Sequence, residues 1–244
     1  MTNQTVILAA GKGTRMGGEI PKVLVMLKQK PLILHLLQEL EKVTQLIKPV
    51  VVVGYESEKV QGVLGNGYTY AFQNKQQGTA QAVAAAKNFI KAENFLVLYG
   101  DMPFIKAESI RALMKAHRET SANISMLTAV APNFEGIYNS LLSYGRIVRD
   151  AKNQIIKVVE YKDAAEDQKQ INEINPGIYM FNTKWFFSHV GKISNQNAQG
   201  EYYLTDIVEV AIESGETINN LPVGAKEVIG INSREDLEMA EKLI

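Results

Sequence analysis

Short apolar runs alternate with amphipathic stretches through the first half of the chain. Runs of strand length occupy residues 5–10, 50–53, 68–72 and 95–99. Between them, residues 32–43, 57–63 and 79–89 repeat apolar side chains at helical spacing, and residues 106–119 follow as a fourth helix. Strands that are apolar on both faces, separated by helices, predict a parallel sheet covered on both sides. The second half is less regular, with strands expected at 123–129, 145–149, 155–159 and 173–181, and helices at 184–190, 204–214 and 233–244. No linker, low-complexity tract or internal repeat interrupts the pattern. The expected fold class is a single α/β domain spanning residues 1–244, with a mostly parallel mixed sheet, flanking helices and strand-rich material in its C-terminal half.

Composition narrows the function classes. The chain of 244 residues balances 26 basic against 26 acidic side chains, so no nucleic-acid or anionic-membrane surface is expected. The lack of cysteine excludes disulfides, thiolate metal sites and a cysteine nucleophile. No apolar run approaches the ~18 residues of a membrane span, and no signal pattern opens the chain, so the expectation is a soluble cytoplasmic protein. His35, His117 and His189 fall in separate expected helices without metal or triad spacing and read as structural, and Trp185-Phe186 reads as core.

Ligands of open α/β sheets bind at the carboxyl ends of the strands. There the first strand meets "LAAGKGTRMGGEIPKV", with four glycines and three cations between Gly11 and Lys22. Glycines admit close approach to the backbone, and cations suit an anionic ligand. A dinucleotide fingerprint fails because its sixth place is Met16, and a P-loop fails because Glu19-Ile20 follow Gly18. What remains is a glycine-rich turn carrying Arg15 and a proline-fixed Lys22. Arg15 offers a planar fork to phosphate oxygens, and Lys22 a point charge. Asp101 follows the strand at 95–99 and suits a magnesium ion that keeps water and phosphate in its shell. The amides of Gln73 and Gln76 each carry a donor and an acceptor, as the edge of a pyrimidine requires. Gly78 next to them permits close approach, and Thr79 is expected to cap the helix that follows.

"LAAGKGTRM" with "PKV" resembles the signature of the sugar-1-phosphate nucleotidyltransferase family. "QNKQQGTAQAV", "YGDMP", "YGRIVR", "VVEYKDA", "EINPGIY", "NAQGEYYLTD" and "GINSRED" follow in family order and resemble its N-acetylglucosamine-1-phosphate uridyltransferase branch. The resemblance implies transfer of UMP from UTP to N-acetylglucosamine-1-phosphate, releasing pyrophosphate, with magnesium. It implies Arg15 and Lys22 as catalytic cations. For the nucleotide it implies Leu8, Ala9, Ala10, Gly11, Gly13, Lys22, Gln73, Gln76, Gly78, Thr79 and Asp101, all within roughly residues 1–120. Gly145, Glu160, Asn175, Tyr203 and Thr205 are implied for the sugar, within residues 121–244, and Asn232 joins Asp101 on the metal. The same chemistry on another sugar phosphate, such as glucose-1-phosphate, and a non-catalytic nucleotide-sugar sensor are the alternatives.

Three features depart from the family pattern. Pro176 follows Asn175 where threonine is usual, and residues 132–143 make a longer connection before "YGRI". The hexapeptide repeats of an acetyltransferase β-helix are missing, so acetyl transfer is not expected.

Overall fold

The computed structural model describes residues 2–18 and 20–244. Strand β1 (Asn3–Leu8) leads through the glycine-rich loop into a small hairpin, β2 (Met26–Leu27) and β3 (Lys30–Pro31). The alternating half continues with α1 (Leu32–Glu41), β4 (Leu46–Val53), α2 (Ser57–Leu64), β5 (Thr69–Phe72), α3 (Thr79–Ala85), β6 (Asn94–Tyr99) and α4 (Ala107–Thr120). Then come β7 (Ile124–Val130), β8 (Gly145–Arg149), β9 (Ile155–Val159), α5 (Glu166–Lys169) and β10 (Glu173–Asn175). The chain finishes with β11 (Tyr179–Asn182), α6 (Thr183–His189), α7 (Ile207–Glu213), β12 (Asn219–Val223) and α8 (Arg234–Glu241).

Strands β5, β4, β1 and β6 are parallel neighbours, as the apolar runs predict. Successive side chains on a strand point to opposite faces, and this period divides the core in two. Ile7 of β1 and Leu96 and Leu98 of β6 pack under α1, α2 and α4. Val6, Leu8, Phe95 and Val97 pack on the other face under α3, α6 and α7. The mixed α/β sheet with helices on both faces agrees with the expected fold class. No helix among the described residues is long and apolar enough to cross a membrane.

The strand expected at 173–181 is two strands. Pro176 has no N–H to give a ladder, and Gly177 takes a positive φ of 76°, so pairing stops between β10 and β11. Both pieces stay beside β7, but on their other side β11 pairs with β6 whereas β10 pairs with β8. The sheet therefore forks where β6 ends. Gly177 is required there, because a Cβ would lie 2.7 Å from the Tyr99 ring.

Other boundaries also move. β1 begins at Asn3 and ends at Leu8, two residues before the expected end, because the backbone turns away into the loop after Ala9 donates to Val52 O. β4 starts at Leu46, since pairing with β1 extends beyond its buried apolar segment. The helix expected at 79–89 leaves α-geometry after Ala85, and the one expected at 204–214 opens as a tight turn before α7. α8 starts after Ser233, whose hydroxyl accepts from the Asp236 N–H. The sequence reading missed β12, which pairs in parallel with β7 at the sheet margin.

His117 is core, held between Ser125 (2.8 Å from Nδ1) and Asn94 Oδ1 (3.3 Å from Nε2). Burial lowers its pKa from 6.5 to about 4. The unfolded chain therefore takes up the proton first as pH falls through 6.5, and stability present above that pH is lost on the way to pH 4. The unfolding free energy from urea titrations should fall by about 1–2 kcal/mol between pH 7 and pH 5 from this group. His117→Gln should remove that component of the slope, and an unchanged slope would refute it. His35 and His189 contact backbone carbonyls, of Leu27 and Trp185.

Candidate active site

The site lies at the carboxyl ends of β1, β5 and β6, on the fork side of the sheet. Pro21, with φ near −51°, enters the short turn Lys22–Leu24, and the Lys22 N–H donates to Gly11 O at 3.2 Å. Gly13 (φ 68°) passes so close that a Cβ would sit 3.1 Å from Lys22 Cβ, so this glycine packs the loop against Lys22. Arg15 stands exposed on the turn Thr14–Met16.

Asp101 and Asn232, distant in sequence, meet here. The Ile231 N–H donates to Asp101 O (3.0 Å), and Asp236 fixes the next residues by accepting from the Asn232 and Ser233 N–H groups, both at 2.9 Å. The Lys22 ammonium donates to the Asp101 carboxylate and, at 2.8 Å, to Asn232 Oδ1. Two oxygen donors, one anionic and one neutral, thus converge on a cation. Gly100 makes room for this cluster, since a Cβ there would come within 2.8 Å of Val23.

Two cavities of about 250 Å³ each meet at Lys22, Thr79, Tyr99, Asp101 and Glu201. The first is walled by Leu8, Ala10, Gly11, Gln73, Gln76 and Gly78. Gln76 Nε2 donates to Ala10 O at 2.5 Å, joining the two loops. Ala9 is buried in the core, and neither it nor Gly13 lines this cavity. The second cavity occupies the fork and contains Gly145, Glu160, Asn175, Tyr203 and Thr205, with Arg15 and Asn232 at its edge. Asn175 holds the Pro176–Gly177 turn by accepting from the Gly177 N–H (3.0 Å) while donating to the Tyr179 hydroxyl (2.7 Å). That leaves one amide hydrogen and one lone pair for a ligand. Glu160 accepts from the Thr205 hydroxyl at 2.9 Å. Burial pushes its pKa up to about 7; the Thr205 bond opposes this, and the charges of Asp206, Asp163 and Glu201 add to it.

Thr79 does not cap α3. Gly78 is the N-cap residue, and Thr79 Oγ1 instead accepts from the Leu204 N–H at 2.9 Å. Together with the bonds from Tyr202 N to Gln77 O (2.8 Å) and from Ala80 N to Tyr202 O (3.0 Å), it ties the walls of the two cavities together.

Sequence reasoning passed over Arg146, which looks like an ordinary strand residue. It is fully buried, with its guanidinium 4.6 Å and 4.9 Å from the Phe134 and Tyr161 ring centroids. It donates to the carbonyls of Tyr144 (2.6 Å) and Leu142 (3.1 Å), fixing the long connection as a wall of the second cavity. A cation beside aromatics at the start of a strand was its only signal.

Residues 5–162 match the family model described as MobA-like NTP transferase domain. The chain is 42% identical over 241 residues to Bifunctional protein GlmU of Caldicellulosiruptor saccharolyticus, covering 97% of this chain and 50% of that protein. It is 43% identical over 242 residues to Bifunctional protein GlmU of Geobacillus sp., covering 98% and 51%. The chain thus spans about half the length of these relatives. Among solved structures it resembles a Bacillus anthracis protein assigned as a glucose-1-phosphate thymidylyltransferase, with a TM-score of 0.79 at 22% identity, covering 99% of this chain and 95% of that one. It also resembles the inositol-1-phosphate CTP transferase from T. maritima, with a TM-score of 0.71 at 18% identity, covering 99% and 96%. These two likenesses speak for the fold alone. The family match, by contrast, covers residues 5–162, from β1 through the strand-end carboxylate to the Glu160 wall, and by it the protein belongs to the MobA-like NTP transferase domain family.

Proposed function

We propose that this chain transfers UMP from UTP to N-acetylglucosamine-1-phosphate, forming UDP-N-acetylglucosamine and pyrophosphate. The observation that carries this reading is the meeting of two cavities at Lys22 and Asp101, with Asn232 bonded to Lys22 from the second cavity. Residues before about 120 supply the nucleotide side, with Gln73, Gln76 and Gly78 at the base. Residues after it supply the sugar side, with Gly145, Glu160, Asn175, Tyr203 and Thr205. A sugar-phosphate oxygen in the second cavity attacks the α-phosphorus of UTP in the first. The new P–O bond forms as the bond to the α,β-bridging oxygen breaks, and pyrophosphate leaves with that electron pair.

Two anions must be brought together, so positioning and positive charge dominate the catalysis. Lys22 offers an ammonium to the α-phosphate, and Arg15 a fork to the leaving phosphates. The donor set of Asp101 and Asn232 fits magnesium, because their oxygens already converge on a cation. When bound there, magnesium supplies charge neutralisation at the phosphate oxygens. Among the described residues no group of three or more His, Asp or Glu could hold a metal ion by itself, so phosphate and water would complete the shell.

The test is pyrophosphate release over four nucleoside triphosphates and several sugar-1-phosphates. UTP with N-acetylglucosamine-1-phosphate should give the highest kcat/KM. A ratio of one or below against glucose-1-phosphate would overturn the sugar, and equal rates with all triphosphates would overturn the nucleotide.

Glu160 adds a pH signature. Its carboxylate accepts hydrogen bonds from sugar hydroxyls more strongly when ionised, so binding should strengthen as pH rises through about 7. Affinity for the sugar phosphate should be about tenfold higher at pH 8 than at pH 6, after correction with Glu160→Gln, whose own profile carries the remaining titrations of the phosphate and of Asp206, itself pushed up to about 6 by burial. Parallel profiles for the two proteins would remove Glu160 from sugar recognition.

A further inference from the structure

Gln73 follows β5 and is 7% exposed, with its amide at the wall of the nucleotide cavity. A free glutamine side chain discriminates poorly between pyrimidines, because a half-turn exchanges its carbonyl for its NH2. Uracil presents N3–H as a donor, whereas cytosine presents a bare N3 as an acceptor. Selection of one base therefore requires that the amide be unable to turn.

Here it is held from behind. Gln73 Nε2 donates to Gly78 O at 3.1 Å and to Gln81 Oε1 at 2.7 Å. Both partners are oxygens, and the first is a backbone carbonyl whose identity is fixed. Turning the amide would set Gln73 Oε1 against both, breaking two hydrogen bonds in a buried position. Gln73 Oε1 has no hydrogen-bond partner among the described residues and remains the acceptor left for a ligand. Gln81, on the first turn of α3, is half-buried and lines neither cavity.

We propose that Gln81 is a positioning residue for base selection: its carbonyl oxygen locks the Gln73 amide so that Oε1 faces N3–H of uracil. This deepens the uridyl reading above and rests on it. Gly78 O supplies a second lock, so loss of Gln81 loosens the amide without freeing it completely.

The experiment measures kcat/KM and calorimetric affinity for UTP and CTP, at saturating sugar phosphate, in the wild type, Gln81→Leu and Gln81→Glu. The wild type should favour UTP. Gln81→Leu should lose about fivefold to tenfold of the UTP:CTP ratio, the effect of one neutral hydrogen bond, and should lose it through KM rather than kcat. Gln81→Glu, whose carboxylate oxygen can accept the same N–H, should keep the ratio within about twofold. An unchanged ratio in Gln81→Leu overturns the proposal, and so does an equal loss in Gln81→Glu, which would assign the effect to packing. A wild type with no preference for UTP overturns the uridyl reading itself, and is told apart because it needs no variant.

Discussion

Replacing Lys22 with alanine is expected to lower kcat by about 100-fold or more, with a much smaller change in UTP affinity. A factor of 100 corresponds to about 2.7 kcal/mol of transition-state stabilisation, within the range for one preorganised charge at a reacting centre. The ammonium in the structure bonds Asp101 and Asn232. It stands on the seam of the two cavities, where the proposed reaction puts the α-phosphate. Negative charge builds on the phosphate as the fifth oxygen approaches, so the interaction gains strength towards the transition state. Pre-steady-state pyrophosphate release gives kcat, and calorimetry gives the UTP affinity. A variant that turns over at the wild-type rate would exclude Lys22 from the reaction. A second readout follows from the same geometry: without its ammonium, Asp101 loses its cation, so half-maximal activation by divalent metal should shift to lower concentration.

Gly78→Ala should be the most disruptive of the single-methyl additions around the site. Its φ of 119° is a conformation that L side chains avoid, and a Cβ would lie 2.5 Å from Tyr202 O and 2.6 Å from Tyr202 N. Both are backbone atoms held by bonds to Ala80 and Gln77, so neither has a flexible end that can yield. Strain in that region costs about 1–3 kcal/mol, and overpacking a further 1–3 kcal/mol. A loss of about 2–6 kcal/mol implies a Tm lower by about 5–20 °C for a domain of this size. Because the junction carries walls of both cavities, affinity for UTP and for the sugar phosphate should fall together. Gly62→Ala is the control: nothing lies within 4 Å of its Cβ, and it sits inside α2, where alanine should stabilise by about 0.5–1 kcal/mol. Equal melting temperatures for the two variants would refute this account.

The alternating half was legible because its strands are apolar on both faces and its helices on one. Gln73 and Asp101 could be picked out as strand-end residues in a parallel sheet, and Lys22 from the glycine-rich loop after the first strand, by rule rather than by resemblance. Asn232 could not: it reaches Asp101 through the Ile231 backbone bond and the Asp236 cap, and no local pattern announces either. Glu160, Asn175 and Tyr203 were reached only through resemblance, since their convergence depends on the fork. Pro176-Gly177 was the available sign of that fork, but the apolar run around it reads as one continuous strand. β12 escaped because in Asn219–Val223 only Leu221 and Val223 alternate as apolar residues, and Pro222 stands between them. Gln81 escaped for another reason: a polar residue on the first turn of a helix reads as solvated surface, and only the bond to Gln73 shows what its oxygen faces.

Because β8 and β9 hang from the short β10, neither is hydrogen-bonded to β5, β4, β1 or β6. Just two residue pairs, Ile174 with Arg146 and Asn175 with Gly145, join the hairpin to the rest of the sheet. An insertion or a change of sequence in that hairpin leaves the register of the four parallel strands untouched. One wall of the second cavity can therefore change while the first cavity stays intact, as though the molecule were assembled from a fixed press and an exchangeable die. The long connection at residues 132–143 lies on the exchangeable side, clasped by the buried Arg146. Transplanting residues 132–159 would carry that connection and Gly145 with it, while Glu160, Asn175, Tyr203 and Thr205 stay with the rest of the cavity.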